Sequence, residues 1–326
     1  MARMVLADRA QIDAITRESY PLWGGGLSYE GYRGLWEEVG RCRWVQEHAR
    51  YYVWLGADGR VLSSMKVYRP RLRLLGREGR CSVLGAIFTP RLHRRKGHAA
   101  DMVRSSLLQI RDRGDLGAML FSDIGTRYYT GLGFEALPAV EHSGRFPLEP
   151  GDGQSDLTLR PAREEDLDLF RAAHDALSSR RPVAILRDAE HWEFLWIRSR
   201  SFFSRVQDRT VRHRWSVALR DGSFVGYLIA VEGRGEWNVR EVGAINAEPE
   251  TMREILCCAG VQAQREGLRR VFGWLPQELV ECLSGWSIRS RPRRRAVPML
   301  RVDDPSIDLR PLKRSAAAYI PFHDQF

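Results

Sequence analysis

Lysine is scarce in this chain: Lys66, Lys96 and Lys313 are the only ones among 51 basic residues, so nearly all of the positive charge is arginine. Cysteine is scarce too. Cys42, Cys81, Cys257, Cys258 and Cys282 are odd in number and form no Cys-x-x-Cys pair, which argues against a disulfide framework and against a zinc or other metal site. Buried, reduced thiols are the expectation. No run of about 18 apolar residues occurs, so no membrane-spanning helix is expected. The start, MARMVLADRAQ, has no apolar core of signal-peptide length, and the expected location is the cytoplasm.

Acidic residues are fewer than basic ones, 41 against 51, giving a net charge of +10. That balance would suit a polyphosphorylated ligand or nucleic acid. The basic residues are spread along the chain without a recognised nucleic-acid module, and the densest cluster, Arg289 to Arg295 (RSRPRRR), reads as a solvated turn. A nucleic-acid partner is therefore not expected. The hydrophobic share of 44% and charged share of 28% are ordinary for a globular protein, and 326 residues favour two domains of about 150 residues each.

The first half reads as mixed α/β. Apolar periodicity predicts helices over Arg9–Tyr20 and from Tyr29 to about Glu47. Two β-rich runs, Tyr51–Leu55 and Val61–Tyr68, flank Asp58-Gly59, a hairpin signal. Ser82–Phe88 reads as a buried strand, followed by a basic loop, a helix over about His98–Asp112 and a strand over Ala118–Ser122. A short helix through Tyr128 should end at Gly131 or Gly133, where glycine accepts the left-handed conformation. Pro150 to Asp156 (PGDGQSD) is the best linker, dividing a domain over 1–150 from one over 156–326.

Beyond the linker the pattern repeats. Leu84-Gly85-Ala86-Ile87 returns as Val242-Gly243-Ala244-Ile245, Asp58-Gly59 as Asp221-Gly222, and Leu132-Gly133-Phe134 as Ser284-Gly285-Trp286. Three echoes in one order indicate a duplicated unit.

The sharpest local signal is Arg94-Arg95-Lys96-Gly97-His98-Ala99, set between a strand and a helix. The first N–H groups of a helix lack internal partners, and the helix dipole favours negative charge there. Gly97 admits close backbone approach or positive φ, Ala99 leaves the first turn uncluttered, and Arg94, Arg95 and Lys96 add charge-assisted donors. These residues make either a phosphate site or a basic turn without a ligand.

Context favours the first. Arg94-x-x-Gly97-x-Ala99 resembles the [QR]-x-x-G-x-[GA] cofactor loop of the GNAT superfamily of N-acetyltransferases. Ile87-Phe88-Thr89-Pro90 resembles that family's fourth strand, and Tyr128 through Phe134 is similar to its second signature, with one extra residue between Pro90 and Arg94. The resemblance covers about residues 1–147 and implies an α/β fold: a mixed, mostly antiparallel sheet with a splayed central strand pair and flanking helices. It also implies acetyl-CoA as co-substrate, with no metal. The N–H groups from Arg95 through Lys96, Gly97 and His98 to Ala99 would cradle the pyrophosphate. The edge of Ile87, Phe88 and Thr89 would hold the pantetheine arm, and Tyr129 would protonate the departing thiolate. Either tyrosine could instead only pack the short helix, and Tyr128 is the one assigned to packing.

An amine acceptor must lose a proton, and three candidates for the base stand open. They are Asp123, which could alternatively cap the next helix, His48, and the terminal carboxylate of Phe326. The apolar tail Ala318–Phe326 is similar to that of the enhanced-intracellular-survival type of tandem acetyltransferase, whose C-terminal phenylalanine carboxylate lies in the active site. Trp23, Tyr29, Tyr32 and Trp36, beside Gly24-Gly25-Gly26, would line the acceptor pocket or form an aromatic core.

In the second half the loop reads Asn246-Ala247-Glu248-Pro249-Glu250-Thr251, with two carboxylates and no glycine, and Glu281 answers to Tyr129. That copy should bind no CoA and should act as a scaffold. The expected activity is acetyl transfer from acetyl-CoA to a primary amine, on a small molecule or a peptide, by direct transfer in a ternary complex. The alternative is a non-catalytic acyl-CoA-binding module. An oligomer is compatible with the sequence.

Overall fold

The computed structural model describes residues 2–147, 156–283, 285–314 and 319–321. Strand β1 (Arg3–Leu6) leads into α1 (Arg9–Trp23), whose start is fixed by reciprocal capping: the Asp8 carboxylate accepts from the Gln11 N–H, and the Gln11 side chain accepts from the Asp8 N–H. The single helix expected from Tyr29 to Glu47 is two, α2 (Tyr29–Val39) and α3 (Arg43–His48). It breaks at Gly40, whose N–H closes the last turn on the Trp36 carbonyl.

Strands β2 (Ala49–Leu55) and β3 (Val61–Tyr68) form the hairpin signalled by Asp58-Gly59, with Gly59 at φ +77°. After β4 (Arg71–Leu74) and β5 (Arg77–Arg80) come β6 (Ser82–Phe88), α4 (His98–Asp112) and β7 (Ala118–Ser122). Then follow α5 (Arg127–Thr130), β8 (Glu135–Ala136) and β9 (Val140–Arg145).

The second half opens with β10 (Leu157–Pro161), α6 (Leu167–Ser179), β11 (Val183–Leu186) and α7 (Ala189–Arg205). It continues through β12 (Arg212–Arg220), β13 (Ser223–Gly233), β14 (Glu236–Ala244) and α8 (Pro249–Arg265). The chain finishes with β15 (Arg270–Gly273), α9 (Gln277–Cys282), β16 (Ser287–Pro292), β17 (Val297–Arg301) and α10 (Arg310–Arg314).

Two mixed seven-stranded sheets result, ordered β1-β2-β3-β6-β7-β17-β8 and β10-β12-β13-β14-β15-β9-β16. Place by place they match, and in each the sixth strand comes from the other half. Strand β9 pairs with β15 and β16, while β17 pairs with β7 and β8. A boundary at residue 150 thus divides the chain in sequence and not the sheets. A third sheet, β11-β4-β5, also joins the halves. The exchange is tight. A Cβ on Gly144 would fall 2.1 Å from the Ser287 carbonyl oxygen, and one on Gly117 would fall 2.3 Å from that of Arg301.

The sheet faces alternate as the strand period requires. Met65 and Val67 of β3 face α4, in a cluster with Met102, Val103, Leu107 and Met299, the last from the exchanged β17. The opposite face packs Val53 and Phe88 against Ile15 of α1. Beyond it, Tyr32 and Leu35 of α2 share one core with Phe194 and Leu195 of α7, so the second half backs the α2 wall.

Two smaller expectations are corrected. Arg289–Pro292 lies in an edge strand rather than a turn, and Arg293 is buried over the Trp274 ring at 3.4 Å. An arginine can bury its planar face against an indole while its tip finds a carbonyl, here that of Ile320. Of the five expected buried thiols only Cys42 and Cys81 are fully buried; Cys257, Cys258 and Cys282 are half-buried.

Because each sheet contains a strand of the other half, the halves should lose structure together. Gly144→Val is expected to cost about 1–3 kcal/mol through overpacking. Thermal unfolding followed by tryptophan fluorescence should still show one transition; two separated transitions would contradict the exchange.

Candidate active site

The central feature is a parting of strands. Strand β6 runs parallel to β7 over only three rungs, Ser82↔Ala118, Val83↔Met119 and Leu84↔Leu120. From Gly85 onward β6 stays paired with β3, through Lys66↔Gly85 and Ser64↔Phe88, and leaves β7. The bend is local: Ala86 sits at φ +47° and the β3–β6 register shifts there. The edge of Gly85–Phe88 facing β7 is left with unpaired backbone groups, suited to an extended amide-bearing chain. Ile87, Phe88 and Thr89 border that gap. Ser63 Oγ donates to the Phe88 carbonyl at 2.8 Å and lies 3.1 Å from Thr89 Oγ1, which pins the strand end.

From this end the chain passes through a 3₁₀ turn (Arg91–His93) into the basic loop. Arg94 Nε donates to the Thr89 carbonyl at 3.0 Å, tying the loop back to the strand. Arg95 at φ +60° and Gly97 at φ +86° are both left-handed, and Gly97 is the N-cap of α4. Alternation of this kind turns successive N–H groups toward one side, and no side chain caps the helix, so its first N–H groups are available to an anion. Arg94, Arg95, Lys96 and Gly97 are exposed, whereas His98 and Ala99 are half-buried. The structure thus assembles the whole predicted loop at the mouth of the strand gap.

The two tyrosines separate clearly. Tyr129 is 8% exposed and packs with Met102, Val103 and Phe134, while Tyr128 is 39% exposed. Burial, reinforced by Tyr128 and Asp123, raises the Tyr129 hydroxyl well above the usual tyrosine range, so it stays protonated near neutral pH. Such a group can donate a proton and does not ionise on its own.

Asp123 does not cap α5, as its alternative reading required. Its Oδ1 accepts from the Ala296 N–H at 2.9 Å, holding the turn that enters β17. His48 stacks edge-on against Trp44 and lies 3.4 Å from Arg80, with its protonation disfavoured by burial and by that arginine. Phe326 lies outside the described residues.

The four acceptor-pocket aromatics come together partly. Tyr32 contacts Trp36 at 6.2 Å between ring centres, Tyr29 contacts Tyr20, and Trp23 contacts Phe88. Trp36 alone of the four lines the cleft of about 320 Å³ between α1 and α2. Sequence reasoning overlooked Lys66, whose Nζ lies 3.1 Å from the centre of the Trp36 ring. A lysine as the one charged residue of its strand, in a chain nearly devoid of lysine, was the available signal.

The second half shares the parting of strands but differs in the loop that follows it. Strand β14 also leaves β15 after four rungs, but the following loop is closed over by Arg180, whose guanidinium donates to the Asn246 and Ala247 carbonyls at 2.8 and 3.0 Å. Pro249 occupies the first helical position of α8, and the Glu248 N–H is taken by the Asn246 side chain. Among the described residues no cluster of acidic, histidine or cysteine side chains could hold a metal, and no helix is long and apolar enough to cross a membrane.

At Gly97 a Cβ would come no nearer than 3.9 Å to any neighbour, so substitution strains the backbone without crowding it. Gly97→Val should therefore fold, yet lose affinity for coenzyme A by a factor of about ten or more, equivalent to about 1.4 kcal/mol. Calorimetry on the folded variant checks this; unchanged affinity would contradict the anion-site assignment.

Residues 17–137 match the acetyltransferase (GNAT) domain family. No curated protein sequence matches the chain. Among solved structures the chain is similar to a GCN5-related N-acetyltransferase from Anabaena variabilis, at 14% identity and a TM-score of 0.71, covering 93% of this chain and 73% of that one. It is also similar to Eis1 from Mycobacterium abscessus, at 15% identity and a TM-score of 0.58 over 93% and 73% of the two chains. Saccharomyces cerevisiae N-myristoyltransferase with bound myristoyl-CoA resembles it at 9% identity, with a TM-score of 0.54 over 90% and 84%. The strand gap, the left-handed glycine at a helix start and the family match agree: the chain carries a GNAT acetyltransferase domain, the mark of an acyl-CoA-dependent N-acyltransferase.

Proposed function

We propose that the first half transfers an acetyl group from acetyl-CoA directly to a primary amine while both are bound. The observation that carries this reading is the gap between β6 and β7, opening onto a helix start capped by a left-handed glycine. A pyrophosphate at the N–H groups of Arg95–Ala99 directs the pantetheine arm along Gly85–Phe88, which brings the thioester to the middle of the sheet. The cleft between α1 and α2, walled by Trp36, is where the acceptor amine enters. Direct transfer needs no covalent enzyme intermediate, only alignment of amine and thioester and a proton for the leaving sulfur. Tyr129 supplies that proton.

The second half binds no CoA in this reading. Arg180 and the Asn246–Glu248 contacts already occupy the loop that would receive phosphate, and its two carboxylates repel anions. Its contribution is mechanical: α7 packs behind α2, and Glu38 of α2 is held by Ser201 and Arg205 at 2.8 Å each.

Tyr129→Phe keeps the packing and removes the proton donor. Turnover should fall by about 10²- to 10⁴-fold, the usual worth of a positioned general acid. The Michaelis constant for acetyl-CoA should hardly change, since ground-state binding rests on the loop. Tyr128→Phe, on the exposed side, should be nearly silent. Equal turnover in both variants and in the parent would reduce Tyr129 to a packing residue and favour a binding module.

A further inference from the structure

Lys66 stands on β3 with Gly85 as its register partner on one side and Tyr51 on the other. Gly85 is the first residue of β6 past the last rung with β7, so Lys66 stands one strand from the gap, beside the position at which it opens. Its Nζ is held 3.1 Å from the centre of the Trp36 ring and 5.6 Å from that of Tyr51. The residue is half-buried, and among the described residues no carboxylate pairs with it. Trp36 also walls the cleft between α1 and α2, so amine and cleft share one side chain.

The second half supplies an internal comparison. Gly243 answers to Gly85 in the repeated Gly-Ala-Ile string, and its register partner is Tyr227. Tyr227 is completely buried and lies across Gly243. It donates to Glu241 at 2.6 Å, and Arg187 grips that carboxylate at 2.9 and 3.0 Å. The copy without a cofactor loop has closed this position with a satisfied network. The copy with the loop keeps a titratable amine there.

In a chain whose cations are nearly all arginine the choice of lysine matters, because a guanidinium does not deprotonate in proteins and an ammonium can. Burial disfavours the charged form and brings Lys66 down to about 7. Around it, burial keeps Tyr51 and Tyr32 protonated, and the charges of Arg9, Asp13, Arg33, Glu37 and Arg41 ring the cleft beyond Trp36.

We propose that Lys66 is the general base of the acyl transfer, taking a proton from the acceptor ammonium beside the thioester. This rests on the N-acyltransferase reading above. Neutral Lys66 accepts one proton from R–NH₃⁺, and the freed amine attacks the thioester carbon. The C–N bond forms, the C–S bond breaks, and Tyr129 protonates the thiolate. The second proton leaving nitrogen restores the Tyr129 hydroxyl, and Lys66 releases its own to water. One amide, one thiol and one proton result.

The test uses Lys66→Arg and Lys66→Met in the full chain, with thiol release from acetyl-CoA measured on a panel of spermidine, L-lysine and a short unblocked peptide. In the parent, kcat should rise with pH to a plateau above about 7, the range in which a buried lysine loses its proton. Both variants should fall about 10²- to 10⁴-fold at neutral pH and lose that step. Coenzyme A affinity, read by calorimetry, should be unchanged. Variants that keep the parent's rate and pH step overturn the proposal, as does stoichiometric acetylation of Lys66, since an amide nitrogen is no base. If no acceptor turns over, the N-acyltransferase reading is what fails. Lys66 is then judged by competitive acetic anhydride labelling with mass spectrometry. A midpoint of about 7 is required, and the ordinary lysine value of about 10.4 overturns the assignment.

Discussion

A sheet that parts in its middle must be held from both sides, and this constraint organises the molecule. Strand β6 leaves β7 after Leu84 and exposes backbone groups that a continuous ladder would have satisfied. On one flank β3 holds β6 to its last residue through Ser64↔Phe88 and the Ser63 hydroxyl. On the other, β7 is paired along its whole length, Ala118 to Ser122, with β17 from the far end of the chain. The brace for the gap is thus a strand of the other half. Asp123 fixes the turn into that strand by accepting from Ala296, and Met299 fills the core beneath α4.

This brace gives the second half a structural part in the first half's sheet. Its sheet has the same strand order and the same parting, yet the site there is closed by side chains. Arg180 covers the loop carbonyls, Tyr227 fills the space over Gly243, and Glu241 with Arg187 satisfies the buried polar groups. Breaking one partner of such a network would leave a buried charge uncompensated, a penalty of several kcal/mol, about 3–5 in typical cases. The first half has the opposite character. Its loop is exposed, its helix start has no side-chain cap, and its lysine has no carboxylate partner among the described residues.

Local chemistry was legible in the sequence. Strand β6, helix α4 and strand β7 fall where periodicity placed them, because each is an unbroken apolar pattern bounded by turn residues. Gly97 reads correctly because only a residue without a side chain takes φ +86° at no steric cost. Long-range pairing was not legible. Nothing local in Val140–Arg145 or Val297–Arg301 states which sheet will receive them, since an edge offers the same donors and acceptors to any strand. The β4–β5 hairpin and its partner β11 escaped for the same reason. Lys66 escaped differently: its surroundings are set by Trp36 and Gly85, which are distant from it in sequence.

The most direct measurement is a crystal structure of the chain with bound coenzyme A. The account predicts one cofactor per chain, with its pyrophosphate against the N–H groups of Arg95–Ala99 and its pantetheine arm along Gly85–Phe88. The sulfur should lie in the gap between β6 and β7, with the Tyr129 hydroxyl within reach. Cofactor bound beside Asn246–Thr251, or on the first half but outside the gap, would contradict it.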